Sequence, residues 1–378
     1  MSYYPEKNIL YVFGSGRLKR INSRDIDSEE FFYGYFYFLK KYKNVNVIEM
    51  KKEERLTQII PNIFLFFDKV LRKISTLPFY MSLICNRPNF KEIKKSDILI
   101  VTNDRLALSI LPMVLLAKLR KKIELNIIVM GLFNKNQSNP VINYFFNLII
   151  SMFLNIGNKF IFLGEGEYNN ACSKYSSYIE KFKLLPFCVD SNFWKDENIN
   201  LQKKDRILFI GNDGNRDFDN VIKIANELKK YNFDFVTSHK FNTNNIPSNV
   251  NLVNANWNDY LLSDNEIKEF YKKARLTILP IKNSLQPSGQ SVTLQSMSMG
   301  VPVIITKTKG FWDFTNFENN KNILFVDNNE VVTWKNKIIE NYENLNLLEA
   351  ISSNSRKTID INYDINIFND KIEEIILS

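Results

Sequence analysis

Gln286-Pro-Ser-Gly-Gln-Ser-Val-Thr-Leu-Gln-Ser-Met-Ser-Met-Gly-Val-Pro-Val-Ile-Ile305 reads as a small polar loop, a helix, and a tight turn into an apolar strand. Ser288 is the expected N-cap, and Gly289 lets backbone approach a ligand closely. A helix start presents unpaired N–H groups and a partial positive charge, which suits a phosphate. Gly300 stands where helices commonly stop, and Val303-Ile304-Ile305 opens the next strand. Taken alone, the stretch is equally an ordinary strand–helix unit. Its neighbours decide.

The chain has 378 residues, which favours two domains over one. With 45% hydrophobic and 24% charged residues it has the composition of a globular protein with ample core. Cys85, Cys172 and Cys188 are odd in number and lack metal-ligand spacing, so a reducing, cytoplasmic setting is expected. The single histidine, His239, rules out a histidine-rich metal site. The start Met1-Ser-Tyr-Tyr-Pro-Glu lacks the basic-then-apolar pattern of a signal peptide.

Charge is uneven. Residues 1–190 hold 28 Lys and Arg against 17 Asp and Glu, while residues 191–378 hold 22 against 24. The first half therefore suits an anionic neighbour: a membrane surface, a phosphate-bearing acceptor or, last, nucleic acid, for which no motif is present.

The other apolar runs repeat the same unit. Ile9–Phe13 is a strand feeding Gly14-Ser-Gly-Arg17; lacking a third glycine, that turn lines a cleft and is no dinucleotide fingerprint. Asp27 or Ser28 caps a helix running to Lys43, and Asn46–Glu49 is a strand. Residues 57–85 carry Ile59, Ile60, Ile63, Phe64, Phe66 and Phe67 among Arg55, Lys69, Arg72 and Lys73, either a core helix or a membrane-surface patch. Strands at Asp97–Val101, Leu125–Met130 and Phe160–Leu163 alternate with helices near 105–120 and 141–156. The latter helix is too short to span a bilayer comfortably, and Asn143, Asn147, Ser151 and Asn155 give it one polar stripe.

After an extended, polar run ending near residue 200, the series restarts. Ile207–Ile210, Phe233–Val236, Val250–Val253, Leu276–Leu279 and Ile323–Val326 are strands, with a helix at Asp264–Ala274. Such alternation predicts an α/β protein of two doubly wound parallel sheets, with ligands at the carboxyl ends of the strands. The expected domains are residues 1–200 and 201–359, with a helix over 360–378 that could pack back on the first.

Three segments resemble the family-4-type (group 1) glycosyltransferases. Leu184-Leu-Pro-Phe-Cys-Val-Asp190 with Phe193 resembles their interdomain segment, usually Pro-x-Gly-Val-Asp and an aromatic. Gly211 with Arg216 resembles the glycine loop whose basic residue reaches the donor diphosphate. Gln295-Ser-Met-Ser-Met-Gly-Val-Pro-Val303 resembles the end of the donor helix, usually Glu-Ala-Met-Ala-x-Gly-x-Pro-Val. The resemblance implies a GT-B fold, two Rossmann-like domains facing across a cleft. The first is the acceptor side and the second holds the nucleotide-sugar.

It further implies transfer of a sugar, hexosyl in type, from a UDP- or GDP-sugar to a glycan or lipid-linked acceptor. Cell-envelope polysaccharide or glycolipid synthesis is the setting, with no cofactor and no metal. Asp217-Phe-Asp219 is a helix cap on this reading and not a metal-binding pair. The donor-side candidates are Gly14, Gly16, Arg17, Gly211, Arg216, Lys282, Ser288, Gly289, Gln290, Ser291 and Gln295. Asp104, Glu165 and Glu167 follow strands of the first half and are the candidate bases for an inverting reaction; a retaining one needs none. Where the family commonly has two glutamates eight positions apart, this chain has Pro287 and Gln295. The competing readings are a nucleotide-sugar 2-epimerase of related fold and a non-catalytic nucleotide-binding partner. An anionic membrane surface, met peripherally from the cytoplasmic side by the basic first half, is the further partner that the sequence suggests.

Overall fold

The computed structural model describes residues 7–23, 27–52, 63–135, 137–242, 245–255 and 262–378. Arg55, Ile59 and Ile60, singled out above, lie outside them. The first sheet holds β1 (Ile9–Phe13), β2 (Val45–Glu49), β3 (Ile98–Val101), β4 (Glu124–Val129), β5 (Lys159–Phe162) and β6 (Phe182–Leu184) in the order β2-β1-β3-β4-β5-β6. The second holds β7 (Arg206–Ile210), β8 (Asn232–Val236), β9 (Val250–Val253), β10 (Ala274–Leu279), β11 (Val303–Thr306) and β12 (Leu324–Val326) in the order β12-β11-β10-β7-β8-β9. Every pairing within both sheets is parallel. Strands buried on both faces must be apolar throughout, and β1, β3 and β11 are buried at every position.

The helices of the first half are α1 (Arg17–Ser23), α2 (Tyr35–Lys41), α3 (Ile63–Ser75), α4 (Arg87–Lys95), α5 (Asp104–Lys118), α6 (Pro140–Ile156) and α7 (Glu165–Lys174). Those of the second are α8 (Phe218–Glu227), α9 (Asp264–Lys273), α10 (Gln290–Ser298), α11 (Val331–Tyr342), α12 (Leu345–Asn362) and α13 (Ile365–Leu377). Short polar side chains cap most of them: Asn103 accepts from Leu106 N, and Ser263 forms a capping box with Glu266. Asp217 caps α8 by accepting from Asn220 N, as its place at a helix start suggests.

Two expectations are corrected. No single helix runs from Asp27 to Lys43: Tyr33 (φ 51°) and Gly34 (φ 82°) are left-handed, so a short 3-10 turn, Glu30–Phe32, precedes α2. The helix read into residues 57–85 ends at Ser75, because Thr76 turns left-handed (φ 59°) and Pro78 lacks an N–H.

The chain crosses between sheets through the Phe182–Arg206 segment and crosses back at its C-terminal end. Val189 exchanges backbone hydrogen bonds with the Tyr363–Ile365 segment, and α13 then lies against the first domain. There Glu373 accepts from Tyr37, Lys41 and Tyr42, and Lys159 Nζ reaches the Ile375 carbonyl. One apolar cluster runs from Tyr11 and Phe38 through Trp194 to Leu294 and Met297, joining the two domains, while separate clusters fill the outer face of each sheet.

Candidate active-site cleft

Each domain turns its strand ends toward the other. In the second sheet the chain reverses direction of growth between β7 and β10, the switch point where doubly wound sheets leave a crevice. The segments after those two strands meet there. Gly211 (φ 155°) follows β7, and a Cβ added to it would overlap Arg216 Nε, so glycine is required for Arg216 to fold back over the turn. Arg216 is 2% exposed; its Nε donates to the Ile210 carbonyl at 3.3 Å. Its Nη1 lies 3.0 Å from Asp213 Oδ2 but is out of line for a hydrogen bond, and makes none with any other group. Burial lowers its pKa from the usual guanidinium value, with Asp213 opposing.

The segment after β10 is tied to this turn. Lys282 N donates to the Asn215 carbonyl, Asp217 N to the Pro280 carbonyl, and Asn215 Nδ2 to Ser288 Oγ at 2.7 Å. Ser288 is therefore held by the glycine loop and does not cap α10. The N-cap is Gly289, left-handed at φ 80° and without a side-chain cap, which corrects the expectation for Ser288. The first-turn amides of α10 are left to the cleft, beside Arg216 Nη1, which would be 3.4 Å from a Cβ at Gly289.

The resulting cleft holds about 650 Å³ of open space. Asp213, Arg216 and Gln286–Ser291 form its second-domain wall; Phe31, Tyr33, Val129, Met130, Leu163 and Phe187 form the other. The rings of Phe31 and Tyr33 sit 5.5 and 5.7 Å from that of Phe187, making an aromatic face opposite Arg216. Sequence reasoning missed this face. Phe31 and Tyr33 lie in an aromatic run, Phe31–Phe38, broken only by Gly34 and without a period, and Phe187 carries only the resemblance of the interdomain segment.

Among the donor-side candidates, Arg216, Ser288, Gly289, Gln290 and Ser291 line the cleft and Gly211 supports them from behind. Gln290 and Gln295 are both 6% exposed and committed across the interface, Gln290 Nε2 to the Leu163 carbonyl at 3.0 Å and Gln295 Nε2 to Glu30 Oε1 at 2.9 Å. Pro287 abuts Gly164, where a Cβ would be 3.0 Å from its ring. The Lys282 side chain is exposed and off the cleft wall. Gly14, Gly16 and Arg17 also stand off that wall: Leu18 N donates to Glu49 Oε1 at 2.9 Å, and the nearby Arg17 and Gly16 amides also favour the Glu49 carboxylate.

None of the three candidate bases lines the cleft. Asp104 is buried and accepts from Met130 N at 2.6 Å; burial raises its pKa to about 6. Glu167, fully buried, accepts from Gly131 N at 2.9 Å and Phe133 N at 3.2 Å; burial and then Asp104 raise it to about 8. The two acids together hold the Met130–Phe133 turn, whose Met130 carbonyl accepts from Gln286 Nε2 at 3.3 Å across the interface. Glu165 joins the domains through its backbone N–H, which donates to the Trp312 carbonyl, and burial then Asp313 raise its carboxyl pKa. Among the described residues no group of three or more His, Cys, Asp or Glu is arranged to hold a metal ion.

Comparison with known proteins agrees with this geometry. Residues 204–344 match the family model described as glycosyl transferases group 1. No curated protein matches the chain by sequence. Among solved structures, HepE from Anabaena, in complex with UDP and glucose, shares 12% identity over 98% of this chain and 100% of its own, with a TM-score of 0.65. A glycosyltransferase from Rickettsia africae shares 15% identity over 99% and 98%, with a TM-score of 0.65. Sucrose-phosphate synthase from Thermosynechococcus elongatus shares 11% over 98% of each chain, with a TM-score of 0.67. At these identities the structures speak for the fold, and the family model for the second domain. The chain thus has the two-domain GT-B fold, and its second domain matches the group 1 glycosyl transferases.

Proposed function

We propose that this enzyme transfers a sugar from a UDP- or GDP-sugar to a glycan or lipid-linked acceptor, without a metal. The observation that carries the reading is Arg216 Nη1, buried and unbonded beside an uncapped helix start at the mouth of an interdomain cleft. When the bond from the anomeric carbon to the diphosphate oxygen breaks, negative charge collects on the diphosphate. A guanidinium and fixed amides already in place there stabilise it without reorganising. The aromatic face of Phe31, Tyr33 and Phe187 suits a sugar or base ring. Asp104 and Glu167 spend their oxygens on backbone amides away from the cleft, which favours a transfer in which the departing diphosphate takes the acceptor's hydroxyl proton as the new C–O bond forms.

For the acceptor we propose a membrane-borne substrate, as in envelope polysaccharide or glycolipid synthesis, met at the cytoplasmic face. On α3, Asp68 and Ser75 turn inward while Ile63 and Phe66 are 59% and 62% exposed, beside exposed Lys69 and Lys73. Val141, Tyr144 and Leu148 on the neighbouring α6 are also exposed, and no helix among the described residues is long and apolar enough to cross a membrane. Apolar side chains flanked by lysines fit the surface of an anionic bilayer.

The test is calorimetric titration with UDP and GDP, with and without EDTA, followed by a transfer assay over a donor panel. Submillimolar binding that EDTA leaves unchanged, and transfer to an acceptor, are expected. Binding without transfer or hydrolysis would instead favour a nucleotide-binding partner, and interconversion of the free donor an epimerase. Salt-sensitive binding to anionic vesicles tests the membrane contact; equal binding to neutral vesicles would overturn it.

A further inference from the structure

The carboxyl group of Glu30 stands in the domain interface without a counter-charge. The residue is 1% exposed. Its Oε1 accepts from Trp194 Nε1 at 2.7 Å and from Gln295 Nε2 at 2.9 Å, and its Oε2 is buried with no hydrogen-bond partner. Gln295 is on α10, the helix that opens on Arg216, and its Oε1 accepts from the Tyr271 hydroxyl at 3.2 Å. A glutamate at 295 would put two carboxylates at hydrogen-bond distance with no cation between them. Glutamine at 295 and glutamate at 30 form a matched pair, an amide donor meeting a carboxyl acceptor across the interface.

We propose that Glu30 is a positioning residue that seats the donor helix: with its proton on, it holds Gln295, and with it α10, against the first domain, and ionisation loosens that seat. This rests on the reading of α10 as the donor helix. An ionised carboxylate with one oxygen unpartnered in an apolar interface is costly, whereas a protonated one leaves only a neutral hydroxyl unpaired. The surrounding groups do not supply the missing charge. Asp264, on α9, repels Glu30, and its own charge is taken by Arg20 at 2.5 Å and Ser28 at 2.7 Å. Cys188 and Tyr271 are buried beside it as neutral groups, and Asp190 and Asp364 beyond Cys188 are acids. Arg216 acts on Tyr271 from the far side, and its Nη1, though not hydrogen-bonded, lies nearer the opposite charge of Asp213, 3.0 Å away. Burial accordingly lifts the Glu30 carboxyl to about 7, with Gln295 first and then Trp194 pulling the other way.

The sign follows from that direction. In an opened arrangement the carboxyl meets water and titrates near its ordinary 4.5, whereas in the closed one it titrates near 7. Closure gains in full below the lower value and loses that gain as pH rises through the upper one.

The experiment uses the full chain. Small-angle scattering between about pH 5 and pH 8.5 reads domain opening without any ligand, and UDP affinity is measured over the same range. Wild type is expected to expand and to lose about tenfold or more in UDP affinity as pH rises, while Glu30→Gln stays compact and loses less. Gln295→Glu should steepen the dependence, and the exchanged pair, Glu30→Gln with Gln295→Glu, should return to the wild-type slope. A Glu30→Gln slope equal to that of wild type, or a wild type whose dimensions do not change with pH, overturns the proposal. Failure of wild type to bind UDP at any pH would instead overturn the donor-helix reading and leave the scattering result to decide on Glu30.

Discussion

The chain presents two glycine-opened helix starts at the ends of central strands, one after β1 and one after β10, and they have opposite fates. At α1 the amides of Gly16, Arg17 and Leu18 converge on Glu49, a carboxylate supplied by the neighbouring strand β2. At α10 no side chain among the described residues caps the first turn, and Arg216 stands beside it, its Nη1 close to Asp213 but without a hydrogen bond. The turn between β4 and α6 repeats the first pattern, with Glu167 and Asp104 taking the Gly131, Phe133 and Met130 amides. An amide cluster already filled by the chain's own carboxylate is architecture. One left open in a cleft is a place for someone else's anion.

Four variants probe this contrast, the strongest first. Arg216→Ala removes the fixed cation and should cost about 2–3 kcal/mol of UDP binding, roughly 30- to 160-fold in Kd by calorimetry. Gly211→Ala keeps the cation but displaces it, since the new Cβ overlaps Nε; a loss of about tenfold is expected, with a shift of the Arg216 position visible in a crystal structure. Glu167→Gln acts on a filled cluster. The raised pKa of Glu167, about 8, means that its contribution to stability is complete below the ordinary value of 4.5 and lost as pH rises through 8. Wild-type Tm should therefore fall between about pH 4.5 and pH 8, and that of Glu167→Gln should fall less, a difference on the order of 1–2 kcal/mol. Glu49→Gln, the mildest, should lower stability by about 1 kcal/mol in urea unfolding and leave UDP affinity within about twofold. A large loss of UDP affinity in Glu49→Gln would erase the distinction between the two helix starts.

What could be read in advance followed the range of the interactions. The strand–helix alternation is written mostly in short apolar runs, so both sheets were legible except for β6, whose three residues Phe182–Leu184 carry too little pattern to mark a strand. Gly211, Arg216 and the Ser288–Ser291 stretch were legible for the same reason, because each belongs to a turn whose chemistry is local. The carboxylates were not. Asp104, Glu165 and Glu167 follow strands in the manner of catalytic acids, yet Glu167 reaches back more than thirty residues to the amides it holds. Glu30 and Gln295, 265 positions apart, carry no common signal in the sequence. Gln295 looks from sequence like a weakened ribose ligand; only its contact with Glu30 shows what it gained. The break at Tyr33 and Gly34, which sets the aromatic wall of the cleft, was hidden because a tyrosine in the left-handed region cannot be read from composition.

The return of α13 to the first domain has a consequence for synthesis. That helix supplies the acid for Tyr37, Lys41 and Tyr42 and the carbonyl for Lys159, and Asn369 and Ile372 close over Gly34. Yet on the ribosome it emerges only after the whole second domain. The N-terminal half thus waits, unfinished, while its neighbour is translated, with the apolar ground beneath Phe38 and Gly34 open to water or to a chaperone. A stalled or clipped chain that ends before Ile365 would lose a layer from the domain made first, not from the one made last.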